Sequence, residues 1–157
     1  MIEITRVRIL NAPLDRVWDL IQPVERLPEW FSGIEAVRLL GGQGLGRRQR
    51  TSGRWGRHRF EIDQTITQYQ QGRALGWRHD AERVDGKAAP SLSRQTEFQV
   101  QLQAVADGTR VELTSRQVPG NAFKGLLIRL VAVPRIARMM DGSLDKIAAI
   151  LGGKSSE

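Results

Sequence analysis

The segment Asn11-Ala12-Pro13-Leu14-Asp15-Arg16-Val17-Trp18-Asp19-Leu20-Ile21, closed by Pro28-Glu29-Trp30-Phe31-Ser32-Gly33, decides the reading of this chain. Pro13 suits the first turn of a helix, where a missing N–H costs nothing. Asp15 places a carboxylate near the positive helix end. Leu14, Val17, Trp18 and Ile21 recur at helical spacing and form one apolar face. Pro23 ends that helix, Val24 to Phe31 reads as a second short one, and Gly33 releases the chain into a strand over Glu35 to Leu40. Two small helices therefore stand between the first two strands of a sheet.

Working outward, Ile2 to Leu10 reads as the first strand, with Ile2, Ile4, Val7 and Ile9 apolar and Arg6 and Arg8 expected to face water. Gly41, Gly42, Gly44 and Gly46 form a hairpin connection; no Lys-Ser/Thr pair or helix follows, so a phosphate cradle is not indicated. Strands follow over Arg47–Ser52, His58–Gln68 and Arg73–Asp80, then a polar loop from Ala81 to Ser93. Arg94 to Ala106 alternates cleanly: Thr96, Phe98, Val100 and Leu102 face one way, Glu97, Gln99 and Gln101 the other. Asp107-Gly108 is a strong hairpin signal, and Thr109 to Val118 returns with Val111, Leu113 and Ser115 inward.

Asn121 then caps a long amphipathic segment. Phe123, Leu126, Leu130, Val133, Ala137, Met140, Leu144, Ala148 and Leu151 share one side when wound at 100° per residue. A continuous helix would be about 45 Å long, and Pro134 predicts a kink or break near Leu130. Gly152-Gly153 marks its end. The expected architecture is α+β: a curved antiparallel sheet of about seven strands wrapped around the last helix.

The chain has 157 residues, 40% of them hydrophobic and 26% charged, with no cysteine. Its length predicts one domain over residues 1–153, with 154–157 as a flexible tail. Disulfides, thiolate metal sites and cysteine nucleophiles are excluded. The alternation from Met1 to Asn11 lacks the apolar core of a secretory leader, so a cytoplasmic protein is expected. Of the 24 basic residues, 20 are Arg and 4 are Lys, and the net charge is +7. Codon usage or an anionic partner each account for that bias.

The order strand, two short helices, six strands and long C-terminal helix resembles the START-like (SRPBCC) superfamily, which includes polyketide cyclases and dehydrases. Ala12-Pro13 with Val17-Trp18, and Pro28-Glu29-Trp30 before Gly33, carry the likeness, which covers Ile2 to about Leu151. It implies a helix-grip fold whose space between sheet and helix takes a hydrophobic small molecule. It does not choose among carriers, cyclases and binders of protein partners.

Polar residues on inward faces are the informative ones, because a dry core penalises them by about 1–3 kcal/mol unless they are bonded. Gln64, His79, Thr96, Ser115 and Gln117 qualify. Trp55, Trp77, Phe98, Phe123, Leu126 and Leu130 are expected to form the apolar lining, and Arg129, at the edge of the helical stripe, to meet an acidic headgroup. Gln64, Ser115 and Arg129 are the expected polar contacts of the ligand, with His79.

His79 is also the candidate acid or base should the protein be an enzyme. His58 and His79 have no metal-ligand spacing, no serine lies in a nucleophile elbow, and no cofactor motif is present. Glu61 and Asp63 share a face but are expected to point to solvent. The hairpin 47–59 carries six arginines and Trp55, a pattern that suits transient contact with an anionic membrane better than nucleic acid. Val131, Ile136 and Met139 on the helix flank allow either a monomer or a homodimer.

Overall fold

A computed structural model describes residues 1–151 of the chain. The helix end expected at Gly152-Gly153 and the tail 154–157 lie outside the described residues. Strand β1 (Ile2–Leu10) leads into α1 (Leu14–Ile21), a 3₁₀ turn (Val24–Arg26) and α2 (Leu27–Trp30). Strands β2 (Ala36–Gly41), β3 (Arg48–Trp55), β4 (His58–Gln70), β5 (Ala74–Val84), β6 (Lys87–Ala88), β7 (Ser93–Val105) and β8 (Gly108–Pro119) follow. The chain continues through α3 (Ala122–Leu127), a π-helical turn (Ile128–Ala132) and α4 (Val133–Leu151).

The sheet is antiparallel, in the order β1-β8-β7-β5-β4-β3-β2, with the short β6 paired to β5. It is curved and unclosed: β1 and β2, neighbours in sequence, form its two opposite edges. The α1–α2 hinge spans between those edges because its apolar face must be buried: Val17, Trp18, Leu20 and Ile21 are in the core. Helix α4 lays Ala137, Met140, Leu144, Ile147, Ala148 and Leu151 into the same core. Ser143 ties it to the hinge, accepting the Ser32 N–H at 2.9 Å and donating to the Met139 carbonyl at 2.9 Å.

Three local expectations are corrected. In β1, strand parity puts Arg6 and Arg8 on the same face as the buried Ile2 and Ile4, while Val7 is exposed. Both arginines reach α4: Arg6 pairs with Asp141 at 3.3 Å and Arg8 with Asp145 at 2.5 Å. Two residues along a strand span about 6.6 Å and four along a helix about 6 Å, so the pairs match in register.

The second correction concerns Ala81 to Ser93, of which only part is loop. Strand β5 runs on to Val84 and turns at Asp85-Gly86 into β6, with Asp85 at φ 52° and Gly86 at φ 80°. The Asp-Gly pair is the same hairpin signal that marks 107–108. Its carboxylate accepts the Arg59 N–H and contacts His58 Nδ1 at 2.6 Å, which together hold Asp85 below its usual pKa.

The third correction is to the face that the final helical segment buries; the break expected at Pro134 is present, as a π-turn just before it. The Val133 N–H donates to the Ile128 carbonyl, five residues back. Pro134 has no N–H to give to Leu130, the partner it would have in a regular helix, and the chain accommodates this with a π-turn. One extra residue in the turn rotates the helix beyond it by about 100°. That rotation aligns buried Gly125 and Ile128 with the core stripe of α4, and turns Phe123, Leu126 and Leu130 outward.

Candidate functional site

The concave face is built from alternate residues of five adjacent strands. Gln49 and Thr51 come from β3, Gln64 and Ile66 from β4, Trp77 and His79 from β5, Phe98 from β7, and Ser115 and Gln117 from β8. Helix α2 and the residue after it close over this face with Trp30 and Phe31.

The aromatic side chains form one cluster. Trp77 meets Trp30 edge-on at 6.4 Å and Phe31 at 5.5 Å, and His79 lies 5.7 Å from Phe98 at a 30° tilt. Such edge-to-face and offset contacts are the favoured geometries for ring quadrupoles. The indole N–H groups of Trp18, Trp30 and Trp77 are buried and meet no acceptor among the described residues. Buried polar groups are nearly always bonded, so each of these donors calls for an explanation.

Beside the rings runs a chain of buried polar side chains. Arg47, 7% exposed, donates from Nε to Gln49 Oε1 at 3.1 Å and from Nη1 to the Gln22 carbonyl at 3.0 Å. Gln49 donates from Nε2 to Gln64 Oε1 at 2.8 Å. Burial pushes the Arg47 pKa down, and the carbonyl at the end of α1 helps hold the cation there. A second group joins β7 and β8: Gln117 bonds Ser93 at 2.6 Å, Thr96 at 2.9 Å and Ser115 at 3.1 Å. His79 Nδ1 contacts Glu82 Oε1 at 2.8 Å, and this bond lowers the Glu82 pKa.

Gln64, Trp77, Phe98 and Ser115 are buried on this face, and His79 borders it. The remaining predicted residues stand elsewhere. Trp55 is 60% exposed, Phe123 68%, Leu126 53% and Leu130 66%, so the expectation that they line the interior is corrected. The reason is the phase shift of the π-turn for the last three and the tip position for Trp55, whose ring lies under Arg135 at 5.1 Å. Arg129 is exposed and lines an outer concavity of about 530 Å³ with Arg94, Ile2 and Leu126. A second concavity, about 500 Å³, lies at the other end of the sheet between Leu14, Arg73 and Arg110. Neither is lined by Trp30, Trp77, Phe98 or any residue of α4.

The hairpin arginines also divide. Arg47 is interior, and Arg50 is bound to Asp63 by Nε at 2.7 Å, with Arg83 on the same carboxylate at 2.9 Å. Those two guanidinium groups hold Asp63 well below the usual carboxylate range. Sequence reasoning passed over Gln49 and Arg47 because the stretch reads as basic. Parity was the available signal: Gln49, Thr51 and Gly53 alternate with Arg48, Arg50, Ser52 and Arg54.

A model of the family described as polyketide cyclase/dehydrase and lipid transport matches residues 1–152. The chain belongs to this family. Solved structures agree with the helix-grip fold. A Nitrosospira multiformis protein superposes with TM-score 0.71 at 18% identity, covering 96% of each chain. Protein NE0264 from Nitrosomonas europaea gives 0.74 at 16%, covering 96% of this chain and 94% of that one. Ara h 8.0201 gives 0.72 at 9% identity, covering 96% and 97%. No curated protein sequence matches significantly. At these identities the structural likeness of this polyketide cyclase/dehydrase and lipid transport family member shows its fold alone. Among the described residues, no helix is long and apolar enough to cross a membrane, and no group of three or more metal-ligating side chains forms a site.

Proposed function

We propose that the protein binds or carries a small hydrophobic or amphiphilic molecule, of lipid, polyketide or aromatic type, between the concave sheet face and α4. One observation carries this reading. The face combines an aromatic cluster with buried amides and hydroxyls, and two of its indole N–H groups, on Trp30 and Trp77, have no acceptor among the described residues. A core built only for stability gains nothing from that mixture, since each unsatisfied donor costs about 1–3 kcal/mol. A guest that covers the rings and accepts from the donors offsets the cost. Because the rings now touch, a guest enters by parting them, and the exposed Trp55 and the π-turn flank the region where α4 begins. The family description, which includes lipid transport, supports the same reading.

Native mass spectrometry of freshly purified protein tests it, together with tryptophan fluorescence titration against naphthalene-type probes. A retained small molecule, or a saturable change in emission, is expected. Protein that carries no guest and gives no saturable change with any apolar probe would refute the proposal.

The contact between His79 and Glu82 favours a second reading, in which His79 acts as acid or base in a cyclase- or dehydrase-like reaction. An ionised Glu82 accepts from Nδ1 and leaves Nε2 to exchange a proton with substrate. Turnover of an aromatic β-hydroxyketone to its dehydrated product, lost in both His79→Ala and His79→Gln, would establish it. Unchanged turnover in those variants would exclude His79.

A further inference from the structure

We infer that the polar group of the guest is a hydrogen-bond acceptor, a carbonyl or carboxylate oxygen, received by the Gln64 amide. This rests on the binding reading above and adds the chemical class of the ligand.

Amide side chains are ordinarily ambiguous, because oxygen and nitrogen look alike and either end can pair. Here the chain of contacts removes the ambiguity. A guanidinium can only donate. Arg47 Nε lies 3.1 Å from the Gln49 amide, so the atom facing it is the Gln49 oxygen. Gln49 must then turn its nitrogen toward Gln64, and the atom it meets at 2.8 Å is the Gln64 oxygen. Gln64 is left with two N–H donors that have no acceptor among the described residues. Flipping either glutamine would set donor against donor. The direction of the whole row is therefore dictated by Arg47, itself held by the Gln22 carbonyl at 3.0 Å.

The neighbours of Gln64 point the same way. It pairs across β4 and β5 with His79, and Trp77 pairs with Ile66 one inward position along. Trp77 and Trp30, 6.4 Å apart, each bury an N–H without an acceptor among the described residues. Gln64 and both tryptophans are more than nine-tenths buried as residues, and the two indole nitrogens are wholly shielded from water. The Gln117 cluster has no such direction, because its partners on Ser93, Thr96 and Ser115 are hydroxyls that donate or accept equally well. His79 supplies one acceptor, its Nε2 in the neutral ring, which suits a hydroxyl beside the carbonyl but not the carbonyl itself.

The test compares 2-acetylnaphthalene with 2-ethylnaphthalene, which has similar shape but lacks the acceptor, by tryptophan fluorescence titration. Wild-type protein should bind the ketone about tenfold more tightly, the scale of one well-placed buried hydrogen bond. In Gln64→Leu and Gln64→Glu the two affinities should become equal within about twofold, since neither replacement donates at neutral pH. Arg47→Met frees both amides to flip and should reduce the preference in the same direction, with folding checked by thermal melting. If that variant does not fold, the two Gln64 substitutions decide. Equal wild-type affinities, or a preference that survives at Gln64→Leu, would overturn the inference and leave the binding reading standing. Failure to bind either probe would overturn this inference, whereas the binding reading falls only if no guest is retained and no apolar probe binds.

Discussion

Trp77 on β5 and Phe98 on β7 are direct cross-strand partners, and their rings stack with centroids 5.9 Å apart and planes 18° from parallel. The pair is the floor on which Trp30 and Phe31 rest, so it joins the sheet to the α1–α2 hinge. Replacing Trp77 by Ala should cost about 3–5 kcal/mol, because the surrounding strands cannot collapse into the space. Urea unfolding should show that loss, with Trp77→Phe retaining more than half of the stability. A cost below about 1 kcal/mol for Trp77→Ala would mean that the rings are not a packed unit.

Asp63 joins three strands through Arg50 on β3 and Arg83 on β5. Its folded pKa is depressed below the ordinary 3.8, so the contribution is complete above that pH and is lost as pH falls toward the folded value. Asp63→Asn should lower stability by about 2 kcal/mol at pH 7, the scale of charge-assisted hydrogen bonds. The difference from wild type should shrink below about pH 4. Melting curves at pH 7 and pH 3 measure this, and a difference independent of pH would contradict it.

Ser143 is wholly buried on α4 and accepts the Ser32 N–H at 2.9 Å. Ser143→Ala removes the acceptor and strands that donor, at about 1–2 kcal/mol. Hydrogen exchange should report it locally: the Ser32 amide should lose protection while the amides of β7 and β8 keep theirs. Uniform loss across the sheet, or none, would show that Ser143 does not fasten the hinge.

Two hairpin glycines should respond differently to alanine. At Gly108, with φ 148°, an added Cβ would fall 1.8 Å from the Leu10 carbonyl oxygen, so the strand end must move. Gly56, with φ 62°, has open space around it. Gly108→Ala should cost on the order of 3 kcal/mol and Gly56→Ala about 1 kcal/mol. Comparison of the two thermal shifts checks the order, and reversal would mean that backbone conformation outweighs the steric contact.

Much of the fold could be read directly. Strand parity placed Gln64, Trp77, Phe98 and Ser115 on one face, and Asn121 caps α3 through the Lys124 N–H at 2.8 Å, as the residue type predicts. Parity at Arg6 and Arg8 was equally visible, yet charge suggested water, and the two aspartates of α4 that receive them are more than 130 residues away in sequence. Glu82 escaped notice because the strand that carries it reads as a polar loop.

The amino-acid order determined which elements form and which side of each strand is apolar, because those properties depend on spacings of two to four residues. It also placed the two hinge helices between the first two strands. The tertiary structure alone decided the rest. A one-residue π-turn chose which face of α3 is buried, and the end of α1 met Arg47 and so oriented two glutamines. Pro134 marks locally that the helix must be disturbed but not which face is then buried. The Arg47–Gln22 contact joins groups 25 residues apart that become neighbours only when the chain folds, so no local spacing encodes it.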